Sequence, residues 1–237
     1  MTSAVPRIGV ITFPGTLDDR DAQRAIVTMG GEAVSLWHAD DDLHRVDAVI
    51  LPGGFSYGDY LRTGAIARFA RVMDGVRTFA ERGGAVLGIC NGFQVLCESG
   101  LLPGALIRNR SLRFVCREVH LRVETAQTPV TADLMPGEIL DIPVKHGEGQ
   151  FVAGARELSR IEADGQVVFR YCAPDGTIGD PAHDPNGSAN AIAGVRNAAG
   201  NVVGLMPHPE HAVDPDVGPV GGQPLFASLL VRALAGV

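Results

Sequence analysis

At 237 residues the chain is long enough for one large domain or two small ones, and with 46% hydrophobic and 20% charged residues it is neither disordered, fibrous nor coiled coil. A net charge of −7, with Lys and Arg scattered rather than in blocks, argues against a general nucleic-acid binder or a binder of anionic membranes. Four cysteines with no Cys-x-x-Cys pair make neither a disulfide framework nor a zinc site, and no apolar stretch reaches the ~18–20 residues of a membrane span. No basic leader or cleavage pattern precedes the first strand-like run, so the expectation is a soluble cytoplasmic globular protein.

In chain order, Arg7 to Phe13 is a continuous apolar run closed by Pro14-Gly15, the pattern of a buried strand. Thr16, with Asp19 three residues on, predicts a helix start, and Gly30-Gly31 a helix stop. Strands are predicted at Ala33 to Trp37 and at Asp47 to Leu51, the latter ending at Pro52-Gly53-Gly54. Ala65 to Arg82 has helical spacing (Ile66, Phe69, Val72, Val76, Phe79) and stops at Gly83-Gly84. A fourth strand, Ala85 to Ile89, is followed by a short helix, Asn91 to Ser99, ended by Gly100. Strand and helix alternating at this spacing imply a parallel sheet with helices on both faces.

The second half changes character. Val115, Val119, Leu121 and Val123 alternate with polar residues, the period-2 signature of a half-exposed strand. Further strands are predicted at Ile139 to Val144, Gln166 to Tyr171, Ala191 to Val195 and Val202 to Met206, the last two joined by a turn at Asn197-Ala198-Ala199-Gly200, with a terminal helix over Pro224 to Leu234. No repeat, low-complexity tract or linker divides the chain, which predicts a single domain over residues 1–237. The fold class is therefore α/β: an open, mostly parallel twisted sheet flanked by helices, with an antiparallel extension in the second half.

Gly88-Ile89-Cys90-Asn91-Gly92 has the G-x-nucleophile-x-G form of a nucleophile elbow, after a short apolar strand and before a helix. Such a turn presents the Cys90 sulfur at the carboxyl edge of the sheet beside a helix N-terminus, where exposed N–H groups favour a thiolate. A lone cysteine there could equally be a small core residue. A nucleophile needs a base and the base an orienter. His208-Pro209-Glu210 supplies both directly after an apolar strand, and in an extended segment residues i and i+2 point the same way. Alone, His-Pro-Glu is an ordinary polar loop; with an elbow cysteine in the same chain it suggests acyl transfer. The oxyanion donors would be the amides of Asn91 and Gly54, although Gly53-Gly54 could be plain turn glycines.

Together these pieces resemble the class I, triad-type glutamine amidotransferases, whose fold is flavodoxin-like. Within that family the chain is similar to the glutaminase subunits of phosphoribosylformylglycinamidine synthase, from purine biosynthesis. The likeness rests on FPGTLDDRD (Phe13 to Asp21), LPGGFSYGDYLRTGAIA (Leu51 to Ala67), GICNGFQVL (Gly88 to Leu96), RNRSLRFVCR (Arg108 to Arg117), KHGEGQF (Lys145 to Phe151), DPNGSANAIAGV (Asp184 to Val195) and GLMPHPEHA (Gly204 to Ala212). It runs nearly end to end. The elbow is shared by all triad amidotransferases; FSYGDYLR and HGEGQF are far more specific.

The resemblance implies that Cys90 attacks the glutamine carboxamide, His208 shuttles the proton to the leaving ammonia and Glu210 orients His208, with glutamate released through a γ-glutamyl thioester. It implies that ammonia passes to a separate large synthetase subunit, which uses ATP and Mg to convert formylglycinamide ribonucleotide to the formylglycinamidine, and that a small third subunit completes the complex. This chain itself would carry no cofactor or metal and would bind neither nucleic acid nor membrane. Gln94 matches a position lining the glutamine pocket, though an exposed helix residue would look the same.

Two positions depart from the family pattern: Leu17 where asparagine is expected, and His211 where arginine follows His-Pro-Glu. Neither is expected to touch the triad. His146 is expected in a pocket wall or partner contact, and Cys97, Cys116 and Cys172 as packing or surface thiols. Asn109-Arg110-Ser111 and Asn186-Gly187-Ser188 match the glycosylation pattern by chance. Tyr57, Tyr60, Arg62, Arg110 and Arg113 are of the types that anchor interfaces. Three rival readings are an amidotransferase for another acceptor, a stand-alone γ-glutamyl hydrolase, and a non-enzymatic redox or chaperone protein with an elbow cysteine. The specific motifs argue against the first and the intact Cys, His, Glu set against the third.

Overall fold

The computed structural model describes residues 5–235; residues 1–4 and 236–237, at the ends of the predicted domain, lie outside the described residues. Four apolar runs form the centre of one nine-stranded sheet: β1 (Arg7–Thr12), β3 (Ala48–Leu51), β4 (Ala85–Ile89) and β11 (Val202–Leu205). Every residue of β3, β4 and β11 is buried, as expected of strands covered on both faces. With β2 (Glu32–Trp37) at the edge, β2-β1-β3-β4-β11 are mutually parallel.

The chain order reverses at β1. It steps one way to β2 through α1 (Asp19–Thr28) and the other way, past β3, to β4 through α2 (Val72–Glu81). Right-handed crossovers then put α1 and α2 on opposite faces, and the carboxyl ends of β1 and β3 flank the topological switch point where α/β sheets bind ligands. There Thr16 and Gly54 form an isolated antiparallel bridge.

Beyond β11 the sheet turns antiparallel through β10 (Ile192–Arg196), β9 (Val167–Cys172), β6 (Val115–Val123) and β7 (Ile139–His146). The β10–β11 turn closes at Asn197 as expected, its N–H donating to Val202 O at 3.0 Å. Although β7 is the outermost strand of this wing, His208 N, just past β11, donates to Pro143 O of β7 at 2.8 Å. The wing therefore curls back over the carboxyl ends of the central strands. The helices α3 (Asn91–Glu98) and α5 (Gln223–Ala235) complete the core, α5 packing Leu230 beside Ile26 of α1 around Gly31.

Two expectations are corrected. Helix α1 begins at Asp19, not at Thr16, because Thr16 closes a turn on Phe13 through both its N–H and its Oγ1. The predicted helix over Ala65 to Arg82 is two pieces, a 3₁₀ turn at Ala67–Phe69 and then α2. Ala70 between them is extended, and Val72 N donates to His38 O at the end of β2 rather than up a helix. Three elements carried too little periodicity to predict: β5 (Ala105–Ile107), its partner β8 (Gln150–Val152), and α4 (Ala155–Ala163), in which Ile161 alone is fully buried.

Candidate active site

Strand β4 ends at Ile89, and Cys90 follows with φ 50° and ψ −105°, a conformation few L-residues adopt. Two close contacts impose it: Cys90 N donates to Leu205 O of β11 at 2.8 Å, and Gly92 packs so tightly on the Leu51 carbonyl that any side chain there would collide with it. Cys90 is thus the residue before the first turn of α3, and the amide of Asn91 lies among the N–H groups that the helix itself cannot satisfy.

Because β11 runs parallel to β4 with Leu205 opposite Ile89, the segment after β11 leaves the sheet beside Cys90. It carries His208, fully buried, whose Nδ1 is 2.6 Å from Glu210 Oε1. The route differs from the extended segment expected: Pro209–His211 is a 3₁₀ turn, and the turn swings Glu210 under the ring. Burial opposes a charge on His208, but the Glu210 carboxylate and the neighbouring Cys90 sulfur outweigh it and push its pKa up to about 10. His208 lines the same cavity as Cys90, and its buried Nε2 has no hydrogen-bond partner among the described residues.

Gly54 has φ +144°, and a Cβ there would lie 2.6 Å from Leu17 N. Its bridge to Thr16 is made by Phe55 N to Gly15 O and Leu17 N to Gly53 O. Gly54 is therefore a non-hydrogen-bonded pair member whose own N–H points away from Thr16. Asn91 and Gln94 are both buried: Asn91 Nδ2 donates to Gln94 Oε1 at 2.8 Å, and Gln94 Nε2 to Glu148 O at 2.5 Å. The exposed-helix reading of Gln94 is thereby excluded.

Cys90, His208, Gly54 and Gln94 share a cavity of about 270 Å³ with Asp18, Asp59, Lys145 and His146. That is near the low end of small-molecule pockets (~300–1,000 Å³) and of amino-acid scale. A larger recess of about 450 Å³, around Thr128, Asn201 and Arg232, is lined by neither cysteine nor histidine.

Lys145 and His146, at the end of β7, wall the cavity, with Lys145 O 3.9 Å from Cys90 Sγ. His146 is buried, and burial, helped by the charge of His208, lowers its pKa to about 4. Its Nδ1 lies 3.1 Å from Asn109 Oδ1. Asn109 and Asn186 are themselves buried and hydrogen-bonded, which explains two glycosylation-like tripeptides that carry no exposed acceptor. Asp59, on a loop where Tyr57, Gly58 and Asp59 all have positive φ, is pushed up to about 6 by burial.

Both family departures lie nearer the chemistry than expected. Leu17 lines the cavity, and His211 Nε2 is 3.6 Å from Glu210 Oε1, its ring centroid 5.4 Å from that of His208. The expectation that neither touches the triad is corrected for His211, because the 3₁₀ turn folds it back. Sequence reasoning also gave no role to Asp18 or Lys145. Asp18 looks like any of the acidic residues opening α1, and only segments far off in sequence, β7 and the turn after β11, give it partners.

Of the other cysteines, Cys172 is buried, Cys97 partly so and Cys116 exposed. Burial raises the Cys97 and Cys172 thiols. Tyr60 is 90% exposed, whereas Arg62 is held by Glu98 through two 2.6 Å bonds and Tyr57 Oη lies 2.6 Å from His38 Nδ1. Arg110 donates to Gly187 O at 3.1 Å, and the exposed Arg113 side chain has no partner among the described residues.

Residues 5–221 match the family model for the CobB/CobQ-like glutamine amidotransferase domain. The chain is 57% identical over 228 residues to phosphoribosylformylglycinamidine synthase subunit PurQ of Streptomyces avermitilis, covering 95% of this chain and 97% of that one. It is 58% identical over 227 residues to the protein of the same name from Rubrobacter xylanophilus, covering 96% and 99%. A chain in the structure of PurLQS from Thermotoga maritima superimposes with a TM-score of 0.86 at 43% identity, over 97% of this chain and 99% of that chain. A second T. maritima structure, a glutamine amidotransferase at 17% identity and TM-score 0.60, shares the fold.

Proposed function

The chain belongs to the glutamine amidotransferase family, among the PurQ glutaminase subunits of phosphoribosylformylglycinamidine synthase, and from that premise we propose how its own residues divide the reaction of purine biosynthesis that this subunit serves. The reading is that the whole chain, 1–237, is one amidotransferase domain and that Cys90, His208 and Glu210 are its catalytic triad. The observation that carries it is the 2.6 Å contact of His208 with Glu210 in a cavity shared with an elbow cysteine.

Cys90 Sγ attacks the glutamine carboxamide carbon, and the N–H groups of Gly54 and Asn91 take the charge that develops on oxygen. His208, whose raised pKa keeps its proton at neutral pH, gives that proton to the leaving ammonia. The γ-glutamyl thioester is then attacked by water, whose proton His208 accepts, and glutamate departs with the sulfur restored. Gln94, braced by Asn91 and Glu148 O, forms the wall against the glutamine side chain.

The ammonia goes to a large synthetase subunit, and a small third subunit completes the assembly, a reading supported by the likeness to a chain of the PurLQS structure from T. maritima. ATP and Mg belong to the synthetase, and this chain contributes no cofactor or metal. The exposed Phe55, Tyr60, Leu61, Leu112 and Phe114, with Arg110 and Arg113, supply the apolar and cationic anchors for that docking. No described helix is long and apolar enough to cross a membrane, and the working compartment is the cytoplasm.

The test is glutamate release from glutamine by this chain alone and then with the synthetase, ATP and formylglycinamide ribonucleotide. Weak release alone and strong release in the full mixture is the expected result. Vigorous release indifferent to the partner would return the chain to a stand-alone hydrolase.

A further inference from the structure

A second buried carboxylate stands beside His208 and has no part in the triad. Asp18, the residue before α1, is 3% exposed, and its Oδ2 lies 3.7 Å from His208 Nδ1. Its Oδ1 receives Lys145 Nζ at 2.5 Å and lies 3.4 Å from His211 Nε2. Lys145 comes from β7, His208 and His211 from the turn after β11; these, with Glu210 beyond His211, are the ionisable groups facing Asp18.

Helix capping does not explain why a carboxylate is buried here, since the Asp18 side chain makes no capping hydrogen bond to α1. Burying one uncompensated is costly, so its three cationic or ionisable neighbours are what hold it. Gly53 admits it: a Cβ at that position would strike both Asp18 Oδ2 and His208 Cε1. The backbone at the end of β3 is thus stripped to its minimum where the carboxylate and the imidazole meet.

We propose that Asp18 is a second positioning carboxylate for His208, held in place by Lys145 and His211 and acting on the imidazole through its charge. The single Nδ1 proton is directed to Glu210 at 2.6 Å, which leaves Asp18, at 3.7 Å, to stabilise the imidazolium electrostatically rather than by a hydrogen bond. Burial works to raise the Asp18 carboxyl, but the His211 and Lys145 hydrogen bonds and the His208 and Lys145 charges hold it well below the usual range. It remains an anion wherever the enzyme functions. The inference rests on the triad reading above.

The experiment uses the assembled complex and compares wild type, D18N, E210Q and the double variant for glutaminase kcat and KM, with the His208 ring followed by nitrogen NMR. In the wild-type background D18N is expected to lower kcat several-fold and to lower the apparent His208 pKa by about one unit, a tenfold change in proton affinity. In the E210Q background, where Asp18 is the remaining carboxylate on the ring, the same substitution is expected to cost about tenfold more than in wild type. An equal or smaller factor in the two backgrounds, or an unmoved His208 pKa, would overturn the proposal and assign Asp18 a purely structural part. D18N/K145Q removes the pair together and tests the same coupling should D18N leave Lys145 stranded and the chain unfolded. Failure of the triad reading would show separately, as glutaminase activity surviving C90A.

Discussion

Glu210 Oε1 meets His208 Nδ1 at 2.6 Å with a single proline between the two residues in sequence. Pro209 fixes one backbone angle, and the 3₁₀ turn it opens closes through His211 N to His208 O at 3.2 Å and Ala212 N to Pro209 O at 3.0 Å. The orienting contact is therefore local, set by one turn. The contact with Cys90 is long-range and depends on the register of β11 beside β4.

Cys90→Ala and Cys90→Ser are expected to abolish glutamine-dependent synthesis, with losses on the order of 10⁶ in turnover. Ammonia-dependent synthesis by the partnered synthetase is expected to persist. Assaying both nitrogen sources on one preparation separates a dead nucleophile from a disrupted complex.

Glu210→Gln removes the largest of the charges that raise His208 while leaving the burial that lowers it. The ring, at about 10 in the wild type, should then titrate lower, with Cys90 and Asp18 still opposing the burial. We expect kcat to drop by roughly 10²–10⁴, with the alkaline limb of the pH profile moving to lower pH. Imidazole NMR across pH 5 to 11 reads the shift directly.

Gly54→Ala places a Cβ 2.6 Å from Leu17 N and 2.8 Å from Gly15 O at φ +144°. Strain of about 1–3 kcal/mol should appear in the denaturation midpoint. Because the amide it displaces is a proposed oxyanion donor, kcat should fall about 10²–10³-fold while glutamine KM changes little. Equal loss in both constants would instead mark Gly54 as a binding element.

His146 gives stability a pH dependence of predictable sign. Its pKa is about 4 in the fold against about 6.5 unfolded, so between these values the unfolded chain binds more protons and acid destabilises the native state. The loss begins as pH falls through 6.5 and is complete near 4, amounting to about 3 kcal/mol. His146→Gln should flatten that segment of the stability–pH curve measured by urea titration.

Arg113→Glu is the cleaner probe of the docking face, because Arg62 is already committed to Glu98. The variant should fold with unchanged melting behaviour yet co-elute poorly with the synthetase, with a slower association rate whose deficit against wild type narrows as salt is raised. Wild-type co-elution would remove Arg113 from the interface.

The sheet was legible where strands are covered on both faces: β1, β3, β4 and β11 are short apolar runs closed by turn residues or polar loops. Helix α4 escaped because one buried residue, Ile161, is too little to make a period, and the break at Ala70 escaped because a tertiary bond from Val72 to His38 O sets it. Cys90, His208 and Glu210 announced themselves because each sits in a short motif whose geometry is local. Asp18 did not, since what distinguishes it from Asp19 and Asp21 is a lysine on β7 and a histidine after β11. His211 was misplaced for the same reason: the 3₁₀ turn, not the residue type, brings it back to Glu210.

The curled antiparallel wing has a consequence for biosynthesis of the chain itself. A ribosome delivers Cys90 and its elbow early, Lys145 and His146 later, and His208 only near the end. The wall and the base then reach the nucleophile through β11 pairing and the return of β7, contacts of high sequence separation that close late in folding. Nascent or truncated chains thus display a cysteine with no proton shuttle and cannot consume glutamine. Activity becomes a readout of complete synthesis and closure, so a clipped C-terminal third would silence the enzyme without touching its nucleophile.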